Sequence, residues 1–350
     1  MLAPVTHILP LTTIRRERVL PVTGKVLVRK GQKVNTTDTI AEATLAPVHM
    51  LLELARGLGL TAEAADKHIQ VEPGTKVSQG DILAGPVGFT RRVVRAPRDA
   101  RVLLAGSGQL LLEVQEKPFE LKAGLPGMVR ELIVDRGAIV ETTGALIQGV
   151  WGNGQIDAGM LRVLASQPDH LLTPDQVDVS LRGTVILAGY ASDPAVLQTA
   201  AELPAKGVLL AGMSPDLISV AQELPMPVVV LEGFGQRALN EVAYRLLSTS
   251  EQRDVAVNAE PWDHFAGTRP EVVIPLPTSG APAGPQEADT FTEGQQVRII
   301  RAPYAGQVGT LEAHKGVAAL PNGLRVPAAE IRLESGTSAL VPLANLEVLE

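Results

Sequence analysis

The sequence predicts a multidomain, β-rich chain with an α/β middle, and three features carry that prediction. A pattern of Gly, Val, a turn residue and an aliphatic at offsets 0, 3, 7 and 9 occurs three times, from Gly31, Gly74 and Gly137. Between residues 181 and 277, continuous apolar runs alternate with Asp-Pro and Ser-Pro pairs of the kind that open helices. After residue 290, polar and apolar residues alternate around Gly-led turns.

Composition bounds the rest. A chain of 350 residues suits two or three domains with real cores. Apolar residues make up 45% of it and aromatics only 3%, so those cores are aliphatic. It has no cysteine, which excludes disulfides, iron–sulfur clusters and Cys-ligated zinc. No apolar run approaches the ~18 residues of a membrane span. The N-terminus is apolar first and basic afterwards (Arg15, Arg16, Arg18), the reverse of a secretory signal. The expectation is a soluble, cytoplasmic protein without membrane insertion. Residues 1–150 carry a net charge of +4, residues 151–290 of −10 and residues 291–350 of −1. The acidic middle disfavours non-specific nucleic-acid binding.

In the first region, residues 19–155, Pro21–Val26 leads into the first repeat, Ala96–Val102 follows the second and Leu125–Val129 leads into the third. Each reads as a turn followed by a Val-containing strand. Apolar Met50, Leu51 and Leu54 after Pro47 predict a helix over 47–56 ended by Gly57, with a second over 62–67. Arg91, Arg92, Arg95, Arg98 and Arg101 form the densest basic run. It reads either as a phosphate-binding patch or as a solvated strand edge guarded by charge. No aromatic lies among these arginines, so base stacking gains no support.

In the middle, residues 181–277, buried strands are expected at 184–188, 207–211 and 227–231. Helices opened by Ser192-Asp193-Pro194 and Ser214-Pro215 lie between them, and a longer one runs from Gly233-Phe-Gly235 to Leu247. This order argues a parallel sheet with covering helices, and edge strands are expected at 254–258 and 271–275. Ligands of such sheets bind beyond the carboxyl ends of the strands. Gly233 and Gly235 lie there, as anion-binding backbone donors or as a tight turn only. Residues 277–289 hold the Pro- and Gly-rich run expected of a mobile linker, assigned to 278–290. In residues 291–350, strands are expected at 294–300 and 307–311 about the turn Pro303-Tyr304-Ala305-Gly306, with a hairpin at Pro321-Asn-Gly323.

Three resemblances accompany these readings. Val26–Val34, Ile40–Ala43 and Val48-His49 resemble the barrel-sandwich hybrid domain, in the version found in the C subunit of Rnf-type electron-transport complexes. That likeness implies the fold of biotinyl and lipoyl carriers, but the cluster-binding cysteines and the carrier lysine's tripeptide are absent. Lys206–Gly235 is similar to the swivelling phosphohistidine domain, with Pro215 where that family has its histidine, so phosphoryl transfer is not implied. Gly294-x-x-Val297, Pro303-Tyr304-x-Gly306, Val308-Gly309, Val341-Pro342 and Asn345–Glu347 resemble the KOW module, an SH3-like barrel. That resemblance implies a loop at Pro303–Gly306 that contacts RNA or protein.

His7, His49, His68, His170, His264 and His314 are scattered without ligand spacing, and Trp262-Asp-His264 reads as local structure. No cofactor, metal site or catalytic constellation follows. The sequence supports a non-enzymatic interaction or scaffold protein for a protein partner. One alternative is a nucleic-acid-associated factor using the KOW-like loop and the arginine run. Another is an enzyme or small-molecule binder at the strand ends. The candidate binding residues are Pro303, Tyr304, Gly306, Arg91, Arg95, Arg98, Gly233 and Gly235.

Overall fold

The structure, a computed structural model, describes residues 2–114, 118–263, 268–278, 280, 282–285 and 289–349, with Leu2 described by its backbone alone. His264 and linker positions 279, 281 and 286–288 lie outside the described residues. The chain is β-rich, 48% strand against 13% helix. No described helix is long and apolar enough to cross a membrane. Two compact units divide it: Met1–Leu20, Val26–Ala41 and Leu121–Glu350 form one, Pro21–Lys25 and Glu42–Glu120 the other.

The larger unit is built on an 11-stranded sheet. Ile156–Val163, Thr184–Ala191, Gly207–Met213 and Val228–Phe234 run parallel. Side chains alternate across a strand, so each apolar run feeds two cores. Ile186, Ala188, Val208, Leu210, Val228 and Val230 face one side with the helices Pro194–Glu202 and Ile218–Glu223. Val185, Leu187, Leu209, Ala211, Val229 and Leu231 face the other with the helix Glu241–Ser248. The Asp193 side chain caps the first of these helices, accepting from the Ala195 N–H at 2.9 Å, with Pro194 just inside.

The strands expected at the sheet's edge are not at its edge. Asp254–Asn258 pairs with Ile156–Val163 and with Glu271–Pro275, which pairs in turn with Gly137–Gln148. This antiparallel wing continues through Gly127–Ile133 and Ile8–Val19. One sheet takes strands from both sides of residues 155 and 181, since Gly137–Gln148 pairs with Glu271–Pro275 and Ile156–Val163 with Thr184–Ala191.

Residues 291–350 form most of a six-stranded sheet but do not complete it. Val5–Thr6 pairs in parallel with Leu346–Leu349, and Ala3 and Val5 enter the same core as Val297, Ile331, Leu346 and Val348. The hairpin expected at Pro321–Gly323 is present: Leu320 N–H donates to Leu324 O at 2.8 Å between Val308–Ala319 and Arg325–Leu333. In the stretch expected to be a mobile linker, the Pro282 and Ala283 carbonyls accept hydrogen bonds from the Thr13 and Thr12 hydroxyls at 2.6 and 2.8 Å.

The smaller unit holds a four-stranded antiparallel sheet in the order Val48–Glu53, Gln109–Val114, Ala100–Gly106, Lys76–Val77, and the hairpin Ile82–Val87/Arg92–Arg95. The helix expected over 47–56 is instead the strand Val48–Glu53 followed by one helical turn, Leu54–Leu58, ending at Gly59. Met50 and Leu52 stand opposite buried Leu112 and Leu110, and a short apolar run suits that register as well as a helix face. The second helix, Ala62–Asp66, is where it was expected.

Two of the three repeats share one construction. Gly31 N–H donates to Val129 O and Val129 N–H to Gln32 O, while Lys33–Val34 pairs with Gly127–Met128. Gly74 N–H donates to Val102 O and Val102 N–H to Thr75 O, while Lys76–Val77 pairs with Ala100–Arg101. In each, an aspartate closes the following turn: Asp38 Oδ2 accepts from Asn35 N–H, and Asp81 Oδ2 from Ser78 N–H. The third repeat departs from this, since Gly144 lies within the continuous strand Gly137–Gln148, where a side chain would meet the Ile274 carbonyl.

Candidate binding cleft

The carboxyl end of the parallel sheet is where the candidate site forms. The strand Val228–Phe234 carries Gly233 at φ +143° just before its last residue, and Gly235 N–H returns to Met213 O at 2.8 Å. The helix that follows does not start there, as the sequence led one to expect. It begins at Glu241, because the Asn240 side chain accepts from the Val242 and Ala243 N–H groups and caps it. Gly233 and Gly235 therefore shape a turn and do not offer helix N-terminal donors.

Arg237, in that turn, joins it to the loop at 303–306. Its Nε donates to Phe234 O at 3.2 Å and its Nη1 to Ala305 O at 2.6 Å. Gly306 is required here twice over. Its φ is +82°, and a Cβ on it would fall 1.7 Å from Arg237 Nη1. Gly306 N–H donates to Ile299 O at 2.6 Å, and Gln307 N–H to Tyr304 O at 3.0 Å, which closes the loop.

Around this junction lies a cleft of about 750 Å³. Glu232, Arg237, Asn240, Glu241 and Tyr244 line it from the parallel-sheet side, and Ala305–Val308 with Glu334 and Ser335 from the other. The Tyr244 hydroxyl donates to Ala165 O at 2.9 Å, leaving the ring as an apolar wall. Glu241 and Glu334 are exposed carboxylates at the cleft. Pro303 and Tyr304 are exposed on the same loop and do not line the cleft.

A buried ionic network fixes the two walls. Arg298, 2% exposed, pairs through Nη1 with Glu232 and through Nε with Glu347. Glu232 also accepts the Asn240 N–H at 2.8 Å, so one carboxylate holds both the helix start and the opposite strand. Glu347 accepts from the Thr6 hydroxyl at 3.1 Å and lies 3.7 Å from Arg269, whose guanidinium stacks 3.8 Å over the Trp262 ring. Burial works to lower the Arg298 pKa, but the Glu347 and Glu232 carboxylates outweigh it and raise it above the ordinary arginine value. Burial lowers that of Arg269, with Arg298 adding to the effect. Two arginines and two glutamates leave the network neutral. Arg298 Nη2 is buried without a hydrogen-bond partner among the described residues.

Of the sequence-derived residues, the structure brings Gly306 to the turn that Gly233 and Gly235 shape. Arg91, Arg95 and Arg98 belong to the smaller unit. All three are exposed, and Arg95 Nη1 donates to Gly80 O at 2.8 Å. Arg91 sits in the hairpin turn at φ +48°, two residues after a fully exposed Phe89. Phe89 lies just outside the arginine run and gives no signal within it. Arg237 and the network are not among the sequence-derived residues. For Arg298 a signal exists, a charge flanked by Val297 and Ile299 inside a strand. For Arg237 there is none, since its partner is a main-chain carbonyl distant in sequence. Among the described residues, no group of three His, Asp or Glu is placed to hold a metal ion. Compared with known proteins, the chain matches no family model and no curated protein.

Proposed function

We propose that the protein is a non-enzymatic interaction protein that holds a segment of a protein partner at the cleft beside Tyr304. The observation that carries this is the Arg237 bridge. It joins the turn at the parallel-strand ends to the 303–306 loop, the two places where the sequence pointed to binding. A cleft of about 750 Å³ with an aromatic wall, main-chain edges and the exposed carboxylates Glu241 and Glu334 suits an extended peptide carrying a basic side chain. Exposed Tyr304 on the fixed loop adds the kind of residue enriched at interface hot spots. The same carboxylates disfavour nucleic-acid phosphate.

The doubled hydrogen-bond set around Gly31 and Gly74 supports the barrel-sandwich reading of the N-terminal region. The Gly306 turn and the six-stranded sheet support a KOW-like reading of the C-terminal one, with Val5–Thr6 as an added strand. A cytoplasmic location fits a chain without cysteine.

The test is a photoreactive amino acid placed at Gln307, on the cleft, and at Thr337, exposed outside it, in protein expressed in its own host. The reading predicts a discrete protein adduct at 307 and none at 337, with the crosslinked partner peptide containing Lys or Arg. Adducts only to RNA, or a small molecule retained in native mass spectrometry with no protein adduct, would overturn it.

A further inference from the structure

The strand Val48–Glu53 is the outermost of its four-stranded sheet. It pairs with Gln109–Val114 on one side, and among the described residues no strand pairs with it on the other. Such an edge is a template for another strand. Proteins commonly guard it with Lys, Pro or a bulge, and none stands between Val48 and Glu53, whose pairing with 109–114 is regular throughout. Its outward face carries apolar Leu51 between His49 and Glu53. Leu51 is 54% exposed and stands opposite Leu111, which stands opposite Leu104, itself 64% exposed. Three strands thus present one apolar row to solvent.

The order of residues along the edge selects the occupant. His49-Met50-Leu51-Leu52-Glu53 carries a basic group at one end, an acid at the other and three aliphatic side chains between. Read against itself antiparallel, with Leu51 opposite Leu51 of a second copy, it places His49 opposite Glu53 at both ends and Met50 opposite Leu52. A shift of one residue turns the apolar row to the opposite face, and a shift of two sets Leu51 against Glu53 or His49. One register alone matches charge and apolarity together, and it is two-fold symmetric, as an isologous interface must be. Imidazole and carboxylate hydrogen-bond in either charge state of the histidine. Pro47 before the strand and the helical turn Leu54–Leu58 after it limit the ladder to these residues.

We propose that two copies of the chain associate through this edge, antiparallel, with Leu51 on the two-fold axis. The exposed row Leu51–Leu111–Leu104 would then meet its own image, and the two small sheets would become one of eight strands. This surface is independent of the cleft.

The chain has no cysteine, so one substitution makes a clean probe. In the full-length protein, Leu51→Cys should form a disulfide-linked homodimer under mild oxidation, because facing Cβ atoms of an antiparallel pair lie within about 5.5 Å. Leu104→Cys, more exposed but away from the axis, should not. Analytical ultracentrifugation of the cysteine-free protein should show a monomer–dimer equilibrium. His49→Glu should weaken it about tenfold by setting acids against acids, and His49→Glu with Glu53→Lys should restore it. Circular dichroism melting of each variant separates misfolding from dissociation, and the charge pair decides the matter should Leu51→Cys fail to fold. A wild-type monomer up to about 100 µM, far above interface affinities of note, would overturn the proposal and leave the edge to a strand of a different protein. So would a dimer indifferent to both charge variants.

Discussion

Arg237 and Arg298 do different work beside the same cleft. Arg237 is half-buried and donates to two main-chain carbonyls, so its contribution is local and directional. Hydrogen bonds from a charged group contribute roughly 1.5–3 kcal/mol. Arg237→Ala should therefore lower stability by about that amount and loosen the Gly235 turn and the 303–306 loop together, measured by chemical denaturation. Arg298 is fully buried between two carboxylates. Removing one member of such a network leaves the others charged and unpaired, which costs about 3–5 kcal/mol. Arg298→Met should reach that range, while Arg298→Met with Glu232→Gln, which leaves Glu347 paired with Arg269, should recover much of it. The unpartnered Nη2 is a reason to expect the network to confer specificity more than net stability. Tyr304→Ala belongs to another class. The ring is exposed, so melting temperature should hardly change while affinity for the crosslinked partner falls by about 2 kcal/mol or more. A lower melting temperature with unchanged affinity would show that the ring packs on the loop.

At the scale of elements, three of the four parallel strands were legible because each is an unbroken aliphatic run next to a cap or a proline, whereas Ile156–Val163, interrupted by Asp157, Gly159 and Arg162, was not. Asp193-Pro194 is the clearest case. The antiparallel wing was not, since Asp254–Asn258 and Glu271–Pro275 are too short to declare which neighbours they join. Met50, Leu51 and Leu54 fit a helical spacing over 47–56, and nothing local shows that Val48–Glu53 pairs with Gln109–Val114. The 303–306 loop and the Gly233–Gly235 turn were both legible through their glycines. Their union was not, because it depends on contacts spanning the chain. The wing has its own pH signature. Burial pushes the Glu260 carboxyl up, but hydrogen bonds and charge from Arg18 outweigh this and hold its pKa below the ordinary value. A group depressed in the folded state stabilises above its unfolded pKa, and that stability is lost as pH falls through the folded one. Arg18→Gln should thus melt lower than the wild type at neutral pH. The gap should close as pH falls below the ordinary glutamate range and Glu260 protonates in both.

For the whole molecule, the N-terminus matters more than its sequence suggests. Val5–Thr6 completes the C-terminal sheet, and Thr6 joins the network through Glu347. Truncation of residues 1–7 should therefore destabilise the distant 291–350 region, read as faster amide exchange in Leu346–Leu349 than in Ala62–Asp66. The network and Arg237 together make the C-terminal sheet and the parallel strand ends one fixed surface rather than two parts on a tether. Hydrogen exchange at the 299–307 loop, wild type against Arg237→Ala in the full-length protein, tests this most directly. The Gly306 amide, bonded to Ile299 O, should exchange slowly in the wild type and markedly faster in the variant, together with the 233–237 turn. Rapid exchange in the wild type, or a loop unmoved by the loss of Arg237, would contradict the account.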